Sequence, residues 1–273
     1  MIAIEDFKDL KYEKEENGIC TITINRPERR NAVSALSFLE LQSALDYAEQ
    51  DDEIKVVILT GNQEGNAFSS GAYFGPKMMS ELTPEIRKMM DPNDKSQRRS
   101  ALKLFNFPKP IIAAVNGLAI GVGATLLLIG ADLIYASDNA YFGFYFVNNA
   151  VINEFSSTFL LSLSIGVQRA KEILYFGGKI EAQEAHELGL VNKVLPLNKL
   201  VPYVREQALK LITPNAPGLA IKVMKKNVHD VLQDQIYKSL DVENEGYATV
   251  MKSRNISISM RARQKKIEPV FKD

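Results

Sequence analysis

PKPIIAAVNGLAIGVGATLLL, residues 108–128, carries no charge after Lys109 and places glycine at 117, 121 and 123. Glycine weakens a helix or strand by about 0.5–1 kcal/mol relative to alanine. Three of them in one apolar run therefore mark places where the backbone must turn sharply or be approached closely. IIAAVNG (residues 111–117) reads as a strand buried on both faces, and GVGATLLL (residues 121–128) opens a buried helix. Taken alone, the stretch also fits a tight strand-to-helix turn packed on a neighbouring element.

Outward from this stretch the same alternation recurs. ICTITINRP (residues 19–27) alternates apolar and polar positions with β-branched side chains, reading as a strand that Pro27 ends. Ser34 is placed to cap a helix with Phe38, Leu41, Ala44, Leu45 and Ala48 on one face. IKVVILTG (residues 54–61) is a continuous apolar run, as a strand covered on both faces requires. GNQEGNAFSSGAYF (residues 61–74) is a loop, and the polar, Met-rich segment 78–99 is broken by Pro84 and Pro92 into short helices and loops. Residues 102–107 close a helix, and LIYAS (residues 133–137) is another strand. Strands alternating with helices predict crossover connections, a largely parallel sheet and an α/β fold. Beyond Phe155 the pattern becomes helical, with two helices and a short strand in residues 170–196, a linker near 213–217 and amphipathic helices over 218–263.

The 273 residues carry 33 basic and 33 acidic side chains. This balance argues against nucleic acid or an anionic membrane as a bulk electrostatic partner. The single cysteine, Cys20, excludes an internal disulfide and sits in an alternating run that favours core packing. The N-terminal residues are charged and read as no secretion signal, and the longest apolar run is broken by glycines. The expected setting is cytoplasmic, with no membrane partner.

Four blocks in order, ITINRPERRNAVS (22–34), AFSSGAYF (67–74), KPIIAAVNGLAIGVGATLLL (109–128) and KIEAQEAHELGLVNKVLP (179–196), resemble the enoyl-CoA hydratase/isomerase (crotonase) superfamily. The resemblance runs from Ile19 to Pro196 and more loosely to the end. It implies a crotonase-like spiral of β-β-α units over residues 1–200 and a helical C-terminal trimerisation region over 201–273. It also implies a homotrimer, or a hexamer made of two trimers, acting on an acyl-CoA thioester. No metal and no separate cofactor are implied, coenzyme A being part of the substrate.

In such proteins two backbone N–H groups hold the thioester oxygen as it gains negative charge. Carried over by motif, these belong to Ala72 and to Val122, or to Gly123 if the register slips by one. Ser70, Gly71, Tyr73, Gly121 and Gly123 would surround the bound group, the glycines letting it approach the main chain. Arg29, Arg30 and Asn31 would meet the adenine and phosphates, Arg offering a fork of donors suited to phosphate. Read without the resemblance, NRPERRN is a solvated turn after a strand.

Hydratases of this superfamily use two carboxylates, at positions held here by Thr125 and Phe146, so hydration is disfavoured. Isomerases that move a 3-enoyl double bond into conjugation need one base, and one branch places a Glu where this chain has Glu154. Glu154 is the only acidic side chain between Asp138 and Glu172. Among Phe144, Phe146, Val151, Ile152 and Phe155 it would be poorly solvated, which raises its pKa and its basicity. The alternative is a helix-start Glu favoured by the dipole.

Lys265, Lys266, Phe271 and Lys272 lie where relatives reach a neighbouring subunit's CoA, or form a frayed charged tail. Lys77 reads as a solvated loop lysine, and His186 and His229 as surface residues. Tyr73, Tyr145, Asn149 and Asn153 depart from the family pattern around the expected acyl pocket. Tyr73 would bring a ring close to the oxyanion donor, and the two Asn would need hydrogen-bond partners. These departures fit a divergent natural member. They also fit a pocket rebuilt by design that binds a ligand, or catalyses another reaction, without CoA turnover.

Overall fold

The computed structural model describes residues 1–73, 82–91, 93–94 and 96–272. In chain order the elements are β1 (Leu10–Lys14), β2 (Ile19–Ile24), α1 (Ala35–Gln50), β3 (Val56–Gly61), β4 (Ala67–Ser69), α2 (Pro84–Met89) and α3 (Arg98–Phe105). Then come β5 (Ile111–Val115), β6 (Leu118–Ile120), α4 (Val122–Gly130), β7 (Leu133–Ser137), β8 (Tyr141–Gly143), α5 (Ser157–Ile165) and α6 (Val167–Phe176). The chain ends with β9 (Lys179–Glu181), α7 (Ala182–Glu187), β10 (Lys193–Leu195), α8 (Leu197–Lys210), α9 (Gly218–Val250) and α10 (Arg254–Lys265).

Two sheets form: β1-β2-β3-β5-β7-β10 and β4-β6-β8-β9. Pairing is parallel except at β1–β2 and β8–β9. The pairs β3/β4, β5/β6 and β7/β8 each send one strand to the large sheet and the next to the small one, followed by helix. This is the expected spiral of β-β-α units.

Several local signals act as expected. Ser34 caps α1 through the N–H groups of Leu36 and Ser37, and Ser37 closes a capping box at 2.8 Å. The predicted face, Phe38, Leu41, Ala44, Leu45 and Ala48, is buried, as are all six residues of β3 and the thiol of Cys20. The first predicted strand stops at Ile24, because Pro27 starts a 3-10 turn instead of ending a strand.

One expectation, that His229 is a surface residue, is corrected. The division at residue 200 falls inside α8, whose Leu200, Val204 and Ala208 pack with Ile19, Val56, Ile58 and Ile112 under the large sheet. Helix α9 begins at Gly218, and its Ile236 and Leu240 join the main core. His229 is not a free surface residue. Its ring stacks on Phe105 at 4.5 Å, and Lys225 one turn earlier bonds Asp132 at 2.7 Å. These contacts dock the start of α9 on the core.

Candidate active site

The strands of the small sheet end at the glycine-bearing turns. β4 runs into Ser70-Gly71-Ala72, and β6 into Gly121 and α4. The N–H of Val33 donates to Gly71 O (2.9 Å) and that of Tyr73 to Val33 O (2.8 Å). Successive peptide groups in extended chain face opposite edges. The N–H of Ala72, between these two bonds, is therefore turned away from Val33, and it finds no partner among the described residues.

On the adjacent strand Gly121 takes φ 55, ψ −122, and its N–H bonds Gly143 O at 2.8 Å. That turn makes Val122 the first residue of α4, whose leading amides are unpaired by the geometry of any helix start. The turns touch: a Cβ on Gly71 would lie 2.8 Å from Ile120 O, and one on Gly123 would lie 2.8 Å from Ser69 Cβ. Gly117 likewise lies against Asn66 and Ala67. The glycines are thus required by strand-to-strand contact and by the conformation at Gly121.

The loop with the arginines is tied to the same turn. Ser70 N–H donates to Arg30 O and its Oγ to Arg29 O, both at 3.0 Å. Asn31 does not offer its amide to a ligand. It is fully buried, donating to Asn62 O and Ala67 O and accepting from Arg26 N–H, so it knots three segments together. Arg26 is buried on Asp9, while Arg30 is exposed. The Tyr73 ring lies under the guanidinium of Arg29 (4.1 Å) and beside that of Arg26 (5.1 Å). Its partner is this cationic loop, where the sequence pointed to the acyl pocket. Lys77 lies outside the described residues. At the far end, Lys272 N–H donates to Asn255 Oδ1, folding the tail back on α10.

Phe146 sits 3.9 Å from the Cβ position of Gly121, and Val151 N–H bonds Phe146 O, which brings the segment before Glu154 alongside the α4 start. Helices α4 and α5 then pack together. Glu154 is 9 % exposed, and its carboxyl has no hydrogen bond or cation among the described residues. Burial, with the Glu243 carboxylate second, raises its pKa to about 8. Glu154 does not cap α5. The cap residue is Ser156, and the carboxylate at this helix start comes from Glu243 of α9, which accepts from Ser156 N–H (2.7 Å) and Thr158 N–H (2.9 Å). Nothing in the sequence near Glu154 points to Glu243, 89 positions away, or to Tyr247, whose phenol Glu154 helps to push up. Asn149 and Asn153 find partners in Tyr145 O and in the hydroxyls of Ser157 and Thr158. Thr125 and Phe146 are both buried.

Two amides at touching turns and a buried carboxyl, all without partners among the described residues, suit proton transfer next to a carbonyl whose oxygen becomes negative. Comparison with known proteins bears on the same residues, since 14–273 match the family described as enoyl-CoA hydratase/isomerase. This chain belongs to that family. Relatives of this family member include a short-chain-enoyl-CoA hydratase of Clostridium acetobutylicum, 34% identical across 93% of this chain and 95% of the relative. The peroxisomal enoyl-CoA delta isomerase 3 of Mus musculus is 33% identical across 78% and 66%. The crystal structure of an enoyl-CoA hydratase/isomerase from Pseudoalteromonas atlantica T6c superposes with TM-score 0.84 at 29% identity, covering 97% of this chain and 100% of that one. Hydratase and isomerase names thus both occur among proteins similar to this enoyl-CoA hydratase/isomerase family member. No helix among its described residues is long and apolar enough to cross a membrane.

The buried carboxyls also set a pH dependence of stability. Burial raises Glu154 to about 8 and Glu40, held by the N–H groups of Lys8, Asp9 and Leu10, to about 7. A carboxyl whose native pKa exceeds its unfolded value of 4.5 stabilises fully below that value and loses the contribution as pH rises through the native one. His229, lowered by burial, acts oppositely and gains its contribution as pH rises through 6.5. The urea midpoint should therefore fall between about pH 7 and pH 8.5, and the fall should shrink in Glu154→Gln. A midpoint that rises over this range, or an equal fall in both proteins, would contradict the assignment of a protonated Glu154.

Proposed function

We propose that the chain is an acyl-CoA enzyme of the Δ3,Δ2-enoyl-CoA isomerase type. Glu154 takes a proton from C2 of a 3-enoyl thioester. The C–H electrons move into the C1–C2 bond, and the carbonyl oxygen takes the charge against the N–H groups of Ala72 and Val122. The same carboxyl returns the proton to C4, leaving the C2–C3 double bond in conjugation. Hydrogen bonds aimed at developing charge in a dry site contribute strongly to such steps, roughly 2.7–4 kcal/mol for one donor.

The observation that carries this reading is the buried carboxyl of Glu154, without a partner among the described residues, with Thr125 and Phe146 where hydratases keep acids. Water addition needs a second acid or base, and double-bond migration does not. Arg29 and Arg30 would meet the phosphates of CoA, with the Tyr73 ring steadying Arg29. The exposed apolar side chains Val223, Met224 and Val228 of α9 and Met260 of α10 would be covered in a homotrimer or a pair of trimers.

The test offers the purified protein a 3-enoyl-CoA and a 2-enoyl-CoA side by side. Conjugated-enoyl absorbance should grow with the first and stay constant with the second. Loss of absorbance with the second would mean hydration. Calorimetric binding of CoA with turnover of neither would replace this reading with ligand binding alone.

A further inference from the structure

Phe155 and Ser156 directly follow Glu154 and both take left-handed conformations, φ 60 and φ 57. A side-chain-bearing residue adopts this conformation only at a cost, so the turn persists only if its surroundings hold it. The cap residue does not hold it, since the buried hydroxyl of Ser156 has no partner among the described residues. One carboxylate does. Glu243 accepts from Ser156 N–H at 2.7 Å and Thr158 N–H at 2.9 Å, and Asn153 Nδ2 reaches it at 3.5 Å. These contacts grip the chain on both sides of Glu154.

The same face of α9 continues the brace. A Cβ on Gly246 would lie 2.8 Å from Ile152 Cδ1, and the Tyr247 phenol interacts with Glu154. Residues 243, 246 and 247 share one helix face by their spacing. We infer that Glu243 is a positioning residue for Glu154: it locks the left-handed turn that presents this carboxyl and gives it a like-charged buried neighbour.

The inference rests on Glu154 being the base proposed above. Among the described residues, Glu243 of α9 is the titratable group acting on Glu154, and Glu154 in turn acts on the phenol of Tyr247 on the same helix. Elements packed nearby, α4 (VGATLLLIG), α5 (STFLLSLSI) and residues 146–153 (FVNNAVIN), contain no titratable side chain.

Carbon-13 carboxyl NMR titration of Glu154, together with the pH profile of 3-enoyl-CoA isomerisation, tests the role in Glu243→Gln, Glu243→Asp and Glu154→Gln. With the negative charge removed, the Glu154 midpoint and the acid limb of the profile in Glu243→Gln should both move down by about one pH unit. The looser turn should lower kcat about tenfold with KM little changed. Glu243→Asp keeps the charge and should recover the midpoint but not kcat. An unmoved midpoint in folded Glu243→Gln overturns the role. If Glu243→Gln does not fold, wild-type kcat in Glu243→Asp overturns it instead. Full activity in Glu154→Gln removes the base and this role together. An inactive Glu154→Gln with an unmoved Glu243→Gln removes the role of Glu243 alone.

Discussion

Glu154→Gln should lower the isomerisation rate by about three orders of magnitude, the usual worth of a positioned general base. The substitution keeps the size and shape of the side chain and removes the acceptor of the proton. It also removes a buried carboxyl that ionises above neutral pH with no cation against it among the described residues, so the protein should stay folded and become no less stable above neutral pH. Loss of rate without loss of stability separates a chemical role from a packing one. The wild-type profile supplies a second sign. A base must be unprotonated to act, and with a pKa near 8 roughly a tenth of Glu154 is ionised at pH 7. Activity should thus climb with pH up to about 8. Stopped assays against a 3-enoyl-CoA over this range, with melting curves for both proteins, are sufficient. A variant within a factor of about three of wild type would end the assignment of Glu154 as base.

Gly121→Ala should lower kcat by about 10²–10³ while costing only about 1–3 kcal/mol of stability. The added methyl group meets no atom closer than Phe146 Cε1 at 3.9 Å, so no clash is involved. What changes is the backbone. Alanine disfavours φ 55 with ψ −122, and relaxing that conformation rotates the peptide joining residues 121 and 122. This rotation turns the Val122 N–H, one of the two proposed oxyanion donors. Because the ground-state thioester needs that bond less than the enolate does, kcat should fall more than KM rises. An equal rate in a folded Gly121→Ala protein would show that the amide at Val122 does not meet the reacting oxygen.

Much of the architecture was legible because burial leaves long traces. The apolar runs at β3 and β5, the Ser34 cap and the buried face of α1 each span enough residues for periodicity to speak. The small sheet was not legible. Its strands β4, β6, β8 and β9 are three residues each, shorter than any alternation can register, and β6 is folded into a run that reads as strand passing directly to helix. The lone-acid environment of Glu154 could be anticipated from its apolar neighbours. The roles of Asn31, Tyr73 and His229 could not, because each is decided by a partner outside its own stretch.

The amino-acid order by itself therefore determined which segments must be buried, where helices start, and that one acidic side chain stands alone between Asp138 and Glu172. Only the tertiary structure decided what that side chain faces. Helix α9 crosses back over residues 152–158 and sets Glu243 against the strained turn, and β4 and β6 pair in parallel so that their end turns touch. Local pattern records how a segment relates to solvent. The field at a carboxyl and the direction of an unpaired amide depend on groups that folding brings from distant parts of the chain.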